Sequence, residues 1–231
     1  PRTSSSTLYY VTFYNPPNNI DAGPDPSGGP TPLGVCPDGQ IKDSYGRCVD
    51  LPCISSDGFK ADPLAEMEIL GTKKNGIKGA RYGYGRGRFH DGIDLKGKVG
   101  TPVFSMFSGR VDNSPYSNSH IQGEDWSNVE DWDYDQNGAG NRVYITTTIG
   151  NDTYQFGYWH LSKVLVGPGD YIIQGQIIGY MGTTGNANST ASAGPHLHLR
   201  GRKNGARYNP EESFAAELEE NGQNSKEDCN N

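Results

Sequence analysis

The chain has 231 residues, including 32 Gly and 15 Pro, and its 20 basic and 27 acidic side chains leave a formal charge of −7. That length suits one or two domains. There is no run of about 18 apolar residues to cross a membrane, and the acidic balance argues against nucleic acid as the main partner. Apolar residues make up 33% of the chain, enough for a core wrapped in extensive loops.

Residues 1–35 hold seven of the prolines and four glycines around a single apolar run, LYYVTFY from Leu8 to Tyr14. A strand followed by a Pro/Gly-rich linker is expected, either the last strand of a preceding domain or an edge strand on the main body. The opening Pro1-Arg2, without an initiator Met or an apolar leader, reads as a processed product or a trimmed segment. The four cysteines are Cys36, Cys48, Cys53 and Cys229. Three of them fall in a polar, turn-rich stretch that buries little, where a covalent staple contributes about 2–4 kcal/mol. An even count points to disulfides and an oxidising compartment. The pairing expected is Cys36 with Cys48, leaving Cys53 to tie the tail through Cys229. No C-x2-C spacing supports zinc held by these cysteines. Residues 36–59 are therefore expected to form a small cysteine-bearing turn module, 60–215 the main domain and 216–231 a polar tail.

From about residue 60 short β-type runs alternate with glycine: TPVFSMFSGRV (101–111), NRVYITTTI (141–149), TYQFGYWHL (153–161), DYIIQGQIIGYMG (170–182) and HLHLRG (196–201). Closely spaced strands separated by turn signals predict a mainly β fold, an antiparallel sheet or sandwich with few short helices. One helix is predicted near the end, with Asn209 as cap, Pro210 in the first helical position, Glu211 and Glu212 at the positive end of the dipole, and SFAAEL following. It is expected to pack across a sheet edge. Gly175, Gly179, Gly182 and Gly185 read as turn and close-packing positions and not as a phosphate cradle, since no helix pattern follows them.

Two charge blocks flank the first histidine motif. Residues 71–88 carry Lys73, Lys74, Lys78, Arg81, Arg86 and Arg88 with no acid, whereas residues 112–135 carry seven acids and no Lys or Arg. They are either solvated loops or opposite walls of a groove, the acidic one bringing Trp126 and Trp132 as platforms. The acidic stretch DWDYDQNGAGN lacks the full calcium-loop pattern.

The five histidines are His90, His120, His160, His196 and His198. In HDGID, His90 and Asp94 are four apart in a segment expected to be extended, so both side chains share a face. His196 and His198, two apart in PHLHL, share a face as well. Zinc takes imidazole nitrogen and carboxylate oxygen tetrahedrally, and a catalytic site uses three protein ligands with water in the fourth position. Two histidines and one aspartate satisfy that count and leave one histidine for acid–base work. Tyr158 is expected on the His160 face of its strand, with Trp159 pointing the other way into the core. His120 reads as a solvated loop residue.

HDGIDL (90–95), GTPVFSMFSGRV (100–111), NRVYI (141–145), YWHL (158–161), GDYIIQGQIIGYMGTTG (169–185), GPHLHL (194–199) and the NPE start at 209–211 follow one another in an order that resembles the lysostaphin-type zinc endopeptidases, which cleave peptide bonds in bacterial peptidoglycan. The resemblance covers roughly residues 65–215 and excludes the first 53. It implies one Zn2+ per chain held by His90, Asp94 and His198, with His160 and His196 as an unligated catalytic pair. Tyr84 resembles a family tyrosine that helps hold the oxyanion, although RYGYGRG also offers Tyr82.

The resemblance further implies a secreted or periplasmic zinc metalloendopeptidase acting on D-amino-acid bonds or glycine bridges of peptidoglycan stem or bridge peptides. No nucleic-acid partner and no membrane span are expected, and the chain is taken as a monomer. A glycine-rich protein substrate, or a non-catalytic activator of wall hydrolases, are the alternatives. The chain departs from the family pattern in the long connection 112–140, beyond ordinary hairpin length, and in the polar segment NANSTASAG (186–194). Both are expected to shape the groove.

Overall fold

A computed structural model describes residues 36–112, 138–188 and 194–223, which all belong to one compact unit beginning at Cys36. The run Leu8 to Tyr14, His120, Trp126, Trp132 and Cys229 lie outside the described residues.

A two-stranded antiparallel hairpin comes first, β1 (Gln40–Lys42) with β2 (Cys48–Asp50). Its turn is built by Asp43, whose Oδ1 accepts the backbone N–H of Tyr45 and of Arg47, each at 2.9 Å. A short polar side chain that captures the backbone this way fixes a turn without apolar burial. The expected Cys36–Cys48 disulfide closes the hairpin. Cys53 is also disulfide-bonded. The hairpin packs on the main sheet through Ser44, whose N–H reaches the Tyr180 hydroxyl at 3.0 Å.

Nine further strands form one antiparallel sheet: β3 (Gly92–Lys96), β4 (Pro102–Phe104), β5 (Gly109–Val111), β6 (Asn141–Ile149), β7 (Asp152–Val164), β8 (Tyr171–Ile172), β9 (Ile177–Met181), β10 (His196–Lys203) and β11 (Ala206–Tyr208). The main order is β11-β10-β7-β6-β5-β8, with β3 on β10, β9 on β7 and β4 on β9. The mainly β, antiparallel expectation holds. Val143 and Ile145 of β6, Phe156 and Tyr158 of β7, Leu197 and Leu199 of β10 and Ile93 and Leu95 of β3 are all buried in one core. Each such side chain contributes about 1.5–3 kcal/mol by leaving water.

Two strands are buried on both faces, and this positions the site. In β10 the odd residues Leu197 and Leu199 enter the core, so the period of two turns His196 and His198 to the opposite side. In β3, Ile93 and Leu95 do the same and turn Asp94 to the histidine side.

The helix predicted from Pro210 through Leu218 is a single 3-10 turn, Pro210–Ser213, and Phe214 is already extended. Asn209 caps it as expected, accepting from the Glu211 N–H. The helix stops because buried Asp62 takes the N–H groups of Ala215 and Ala216 at 2.9 and 3.1 Å, donors that a helix would have turned back on itself. Phe214 and Ala216 are buried in the core instead. No helix among the described residues is long and apolar enough to cross a membrane.

Candidate metal centre

Asp94 and His198 stand directly opposite one another in the β3–β10 register. His90 lies four residues before Asp94, held by an antiparallel bridge to Gly83. Gly92, between them, explains the packing. A Cβ there would lie 2.5 Å from the Leu199 carbonyl oxygen and 2.7 Å from His198 Nε2, so glycine leaves the space the His198 ring fills.

His198 Nδ1 lies 2.7 Å from Asp94 Oδ1 and 3.1 Å from His90 Nε2, and His90 Nε2 lies 3.2 Å from Asp94 Oδ1. All three residues are buried. Their proton count is too low for these contacts. His90 Nδ1 faces the Arg81 carbonyl at 3.1 Å and must donate to it, which makes Nε2 the nitrogen that offers a lone pair in the metal-binding form of the ring. That lone pair faces the Asp94 carboxylate, itself an acceptor, and His198 Nδ1 has at most one proton to give. Three electron-rich atoms converging in a buried space fit a small cation. Zinc bonds of about 2.0–2.2 Å in tetrahedral directions separate neighbouring ligand atoms by about 3.3–3.6 Å; the two separations at His90, 3.1 and 3.2 Å, come near this, and Asp94 and His198, at hydrogen-bonding distance, would part by a few tenths of an ångström or more to admit the ion.

Burial opposes ionisation of Asp94, yet hydrogen bonding to His198 and the closeness of His90 hold its carboxyl well below the usual range. Arg86 Nη1 lies 3.3 Å from Asp94 Oδ2, fixing the oxygen turned away from the histidines. Burial lowers the pKa of His198 against the pull of Asp94, so the ring is neutral at neutral pH and its nitrogen lone pair is open to a metal.

His160 and His196 sit beside this cluster. Their ring centroids are 4.8 Å apart, and His160 is 6.0 Å from His198. His160 Nδ1 donates to the Thr184 carbonyl at 2.9 Å and His196 Nδ1 to that of Gly194 at 3.0 Å. Second contacts of this kind set tautomer and orientation, and at His160 the contact leaves Nε2 with its lone pair. Burial, with the neighbouring His196 and His198 rings, pushes the His160 pKa down to about 3. His160 is also one of two non-glycine residues with positive φ among those described, at 65°.

That backbone follows from a bulge. The β6–β7 register slips between Asn141 and Val143, so that Asn141 pairs with Leu161 while Val143 pairs with Tyr158. Bulges re-aim side chains, and here the slip turns both Trp159 and His160 to the pocket. Trp159 is therefore not a core residue. Its ring packs on His198 with centroids 4.7 Å apart. Tyr158 remains in the core, its hydroxyl accepting from the Met106 N–H at 2.9 Å.

One pocket gathers His90, Asp94, His160, His196 and His198 with Trp159, Phe89, Arg86, Arg88, Asp91 and Asn186 in its wall. Tyr84 is not in that wall. It is 78% exposed, with its ring edge against Phe89; the Gly83–His90 bridge turns the chain at that point. Tyr82 also meets Phe89 edge to face. Arg86, Thr184, Gly92 and the pocket-facing Trp159 were not singled out by motif. Only the glycine inside HDGID offered a signal, as a site of close approach.

Residues 88–210 match the model for peptidase family M23. The chain belongs to that family. All five clustered residues lie inside the matched span, and Tyr84 lies before it. Lysostaphin of Staphylococcus simulans is 34% identical over 125 residues, 52% of this chain and 20% of the relative. The peptidoglycan DD-endopeptidase ShyC of Vibrio cholerae is 33% identical over 126 residues, 54% of this chain and 23% of the relative. The M23 chain thus spans about a fifth of the length of these curated relatives. Among solved structures, the catalytic domain of the antimicrobial peptidase lysostaphin from Staphylococcus simulans aligns with a TM-score of 0.38 at 30% identity, covering 54% of this chain and 76% of that one.

Proposed function

We propose that the chain is a zinc-dependent endopeptidase that hydrolyses peptide cross-links of bacterial peptidoglycan, works as a monomer and acts outside the cytoplasm. The observation that carries the reading is the convergence of three potential ligand atoms, His90 Nε2, Asp94 Oδ1 and His198 Nδ1, beside the imidazoles of His160 and His196 in one pocket. The relatives named peptidoglycan DD-endopeptidase and glycyl-glycine endopeptidase support the substrate class. The Cys36–Cys48 disulfide supports an oxidising compartment.

In this reading His90, Asp94 and His198 hold one zinc ion, and Arg86 keeps Asp94 turned toward it. When bound, zinc supplies a Lewis acid that polarises the scissile carbonyl and makes water nucleophilic near neutral pH. His160, neutral because it is buried, takes the proton of the attacking water at Nε2 and returns it to the leaving amine. The Thr184 carbonyl holds the ring in the tautomer this requires. His196, fixed through Gly194, stabilises the developing oxyanion when its Nε2 carries a proton to donate. General acid–base catalysis of this kind contributes about 10²–10⁴-fold. Tyr84 takes part only if substrate draws it in from the rim; a tenfold kcat loss in Tyr84→Phe would support that role, and an unchanged kcat would remove it.

The test is mass spectrometry of fragments released from purified peptidoglycan with and without a zinc chelator. Release of peptides with new amino termini that stops on chelation is the expected result. No release from zinc-loaded protein would overturn the reading.

A further inference from the structure

The basic block at 81–88 folds into the pocket wall, where Arg86 and Arg88 stand on one side of the candidate ligands. Three more guanidiniums adjoin them. Arg200 lies over the Trp159 ring at 5.5 Å, Arg207 lies over the Phe89 ring at 4.6 Å, and Arg202 shares Asp91 with Arg200, at 3.4 and 2.8 Å. Phe89, Trp159 and Asp91 all line the pocket, so the charges border the space where a peptide would lie.

Among the described residues these five arginines have two carboxylates: Asp94, turned to the histidines and touched by Arg86, and Asp91, shared by two. Arg88 is exposed and has no ion-pair partner among the described residues. The crowding has a cost. Arg202 is pushed below its usual range by burial and then by Arg200. Like charges gathered on one wall of a cleft with partly buried, low-dielectric sides focus the field into it and attract an anion. The planar guanidinium fork of arginine matches a carboxylate in particular.

We propose that Arg88, backed by the Arg200, Arg202 and Arg207 cluster, binds a substrate carboxylate next to the scissile bond and so selects direct cross-links over glycine bridges. In a direct cross-link made through a diamino diacid, the carbon bearing the leaving amine also bears a carboxylate. In a glycine bridge the residues around the scissile bond carry no charge. Arg86 is a positioning residue in this scheme, since its guanidinium is engaged by Asp94, and Arg88 is the reader. The proposal rests on the endopeptidase reading and names the substrate of that same pocket.

The experiment uses the full, zinc-loaded chain and three synthetic peptides: a D-alanyl amide of a diamino diacid with its neighbouring carboxylate free, the same peptide with that group as carboxamide, and a pentaglycine peptide. The expected kcat/KM for the carboxylate peptide exceeds that for the carboxamide by tenfold or more, mostly through KM. The ratio collapses toward one in Arg88→Gln and is partly restored in Arg88→Lys. Equal rates on the two peptides in the unaltered protein, or an undiminished ratio in Arg88→Gln, would overturn the proposal. Binding of the same peptides is measured by isothermal titration on the zinc-loaded His160→Ala protein. Failure of the unaltered protein to cleave any peptide contradicts the endopeptidase reading. The Kd of the carboxamide over that of the carboxylate, measured with Arg88 and with Arg88→Gln in the His160→Ala background, still decides the role of Arg88: a tenfold ratio that falls toward one in Arg88→Gln supports it, and a ratio of one or one unchanged in Arg88→Gln overturns it.

Discussion

Asp94 and His198 are a cross-strand pair of the sheet, directly opposite in the β3–β10 register with Oδ1 and Nδ1 2.7 Å apart. The pairing that builds the core on one face of these strands therefore builds the candidate ligand set on the other. A one-residue slip of β10 would exchange its faces and put Leu197 or Leu199 where His198 stands, and a slip of β3 would put Ile93 or Leu95 where Asp94 stands.

Gly92 is the position at which this arrangement is most easily disturbed. The Cβ of Gly92→Ala would sit 2.7 Å from His198 Nε2 and 2.5 Å from the Leu199 carbonyl oxygen, forcing the ring and the strand apart. Overpacking of this kind costs about 1–3 kcal/mol. Zinc affinity is expected to fall by roughly 10–100-fold, the range seen when a ligand's support is lost. Competition with a chromophoric chelator measures it, and unchanged affinity in a folded Gly92→Ala protein would contradict the packing argument.

His160 combines a catalytic assignment with a strained backbone, and two substitutions separate them. Both His160→Ala and His160→Gly remove the imidazole, so each is expected to lower kcat by about 10²–10⁴-fold while zinc content stays at the unaltered level. At φ 65° alanine keeps the left-handed penalty and glycine does not. His160→Gly should be the more stable of the two by about 1 kcal/mol in urea unfolding. The reverse order would remove the bulge strain from the picture.

The HxH motif was legible because a strand alternates with period two and His196 and His198 had to share a face. HDGID was legible as a pair, and its glycine was readable as a site of close approach. Trp159 was misplaced because alternation was carried through a strand that contains a bulge, and the slip opposite Arg142 leaves no local mark in YWHL. The terminal helix was overextended because capping and dipole preferences are local, whereas Asp62, some 150 residues earlier in sequence, takes the N–H groups of Ala215 and Ala216. The charge block at 71–88 could be read as solvent-facing or as a groove wall; tertiary placement separates Arg86 and Arg88, which line the pocket, from Lys73, Lys74 and Lys78, which do not.

Asp62 also makes stability depend on pH. Burial raises its pKa to about 7 against the two N–H bonds that pull it down, whereas the unfolded carboxyl titrates near 3.9. Between about pH 4 and pH 7 the native state holds a proton that the unfolded chain has released. The contribution of this group is fully present below about pH 4, is lost as pH rises to about 7 and is absent above. The total effect is on the order of a few kcal/mol. The melting temperature should fall between pH 5 and pH 8 by more in the unaltered protein than in Asp62→Asn. Equal slopes would show that Asp62 is ionised in the native state throughout.

The most direct measurement is anomalous diffraction at the zinc edge from crystals of the purified chain. The expected result is one peak per chain within coordination distance of His90 Nε2, Asp94 Oδ1 and His198 Nδ1, absent after chelation and absent from Asp94→Ala crystals. A peak at any other set of side chains, or no peak at these three atoms in protein that still cleaves peptidoglycan, would contradict the metal assignment on which the catalytic roles of His160 and His196 depend.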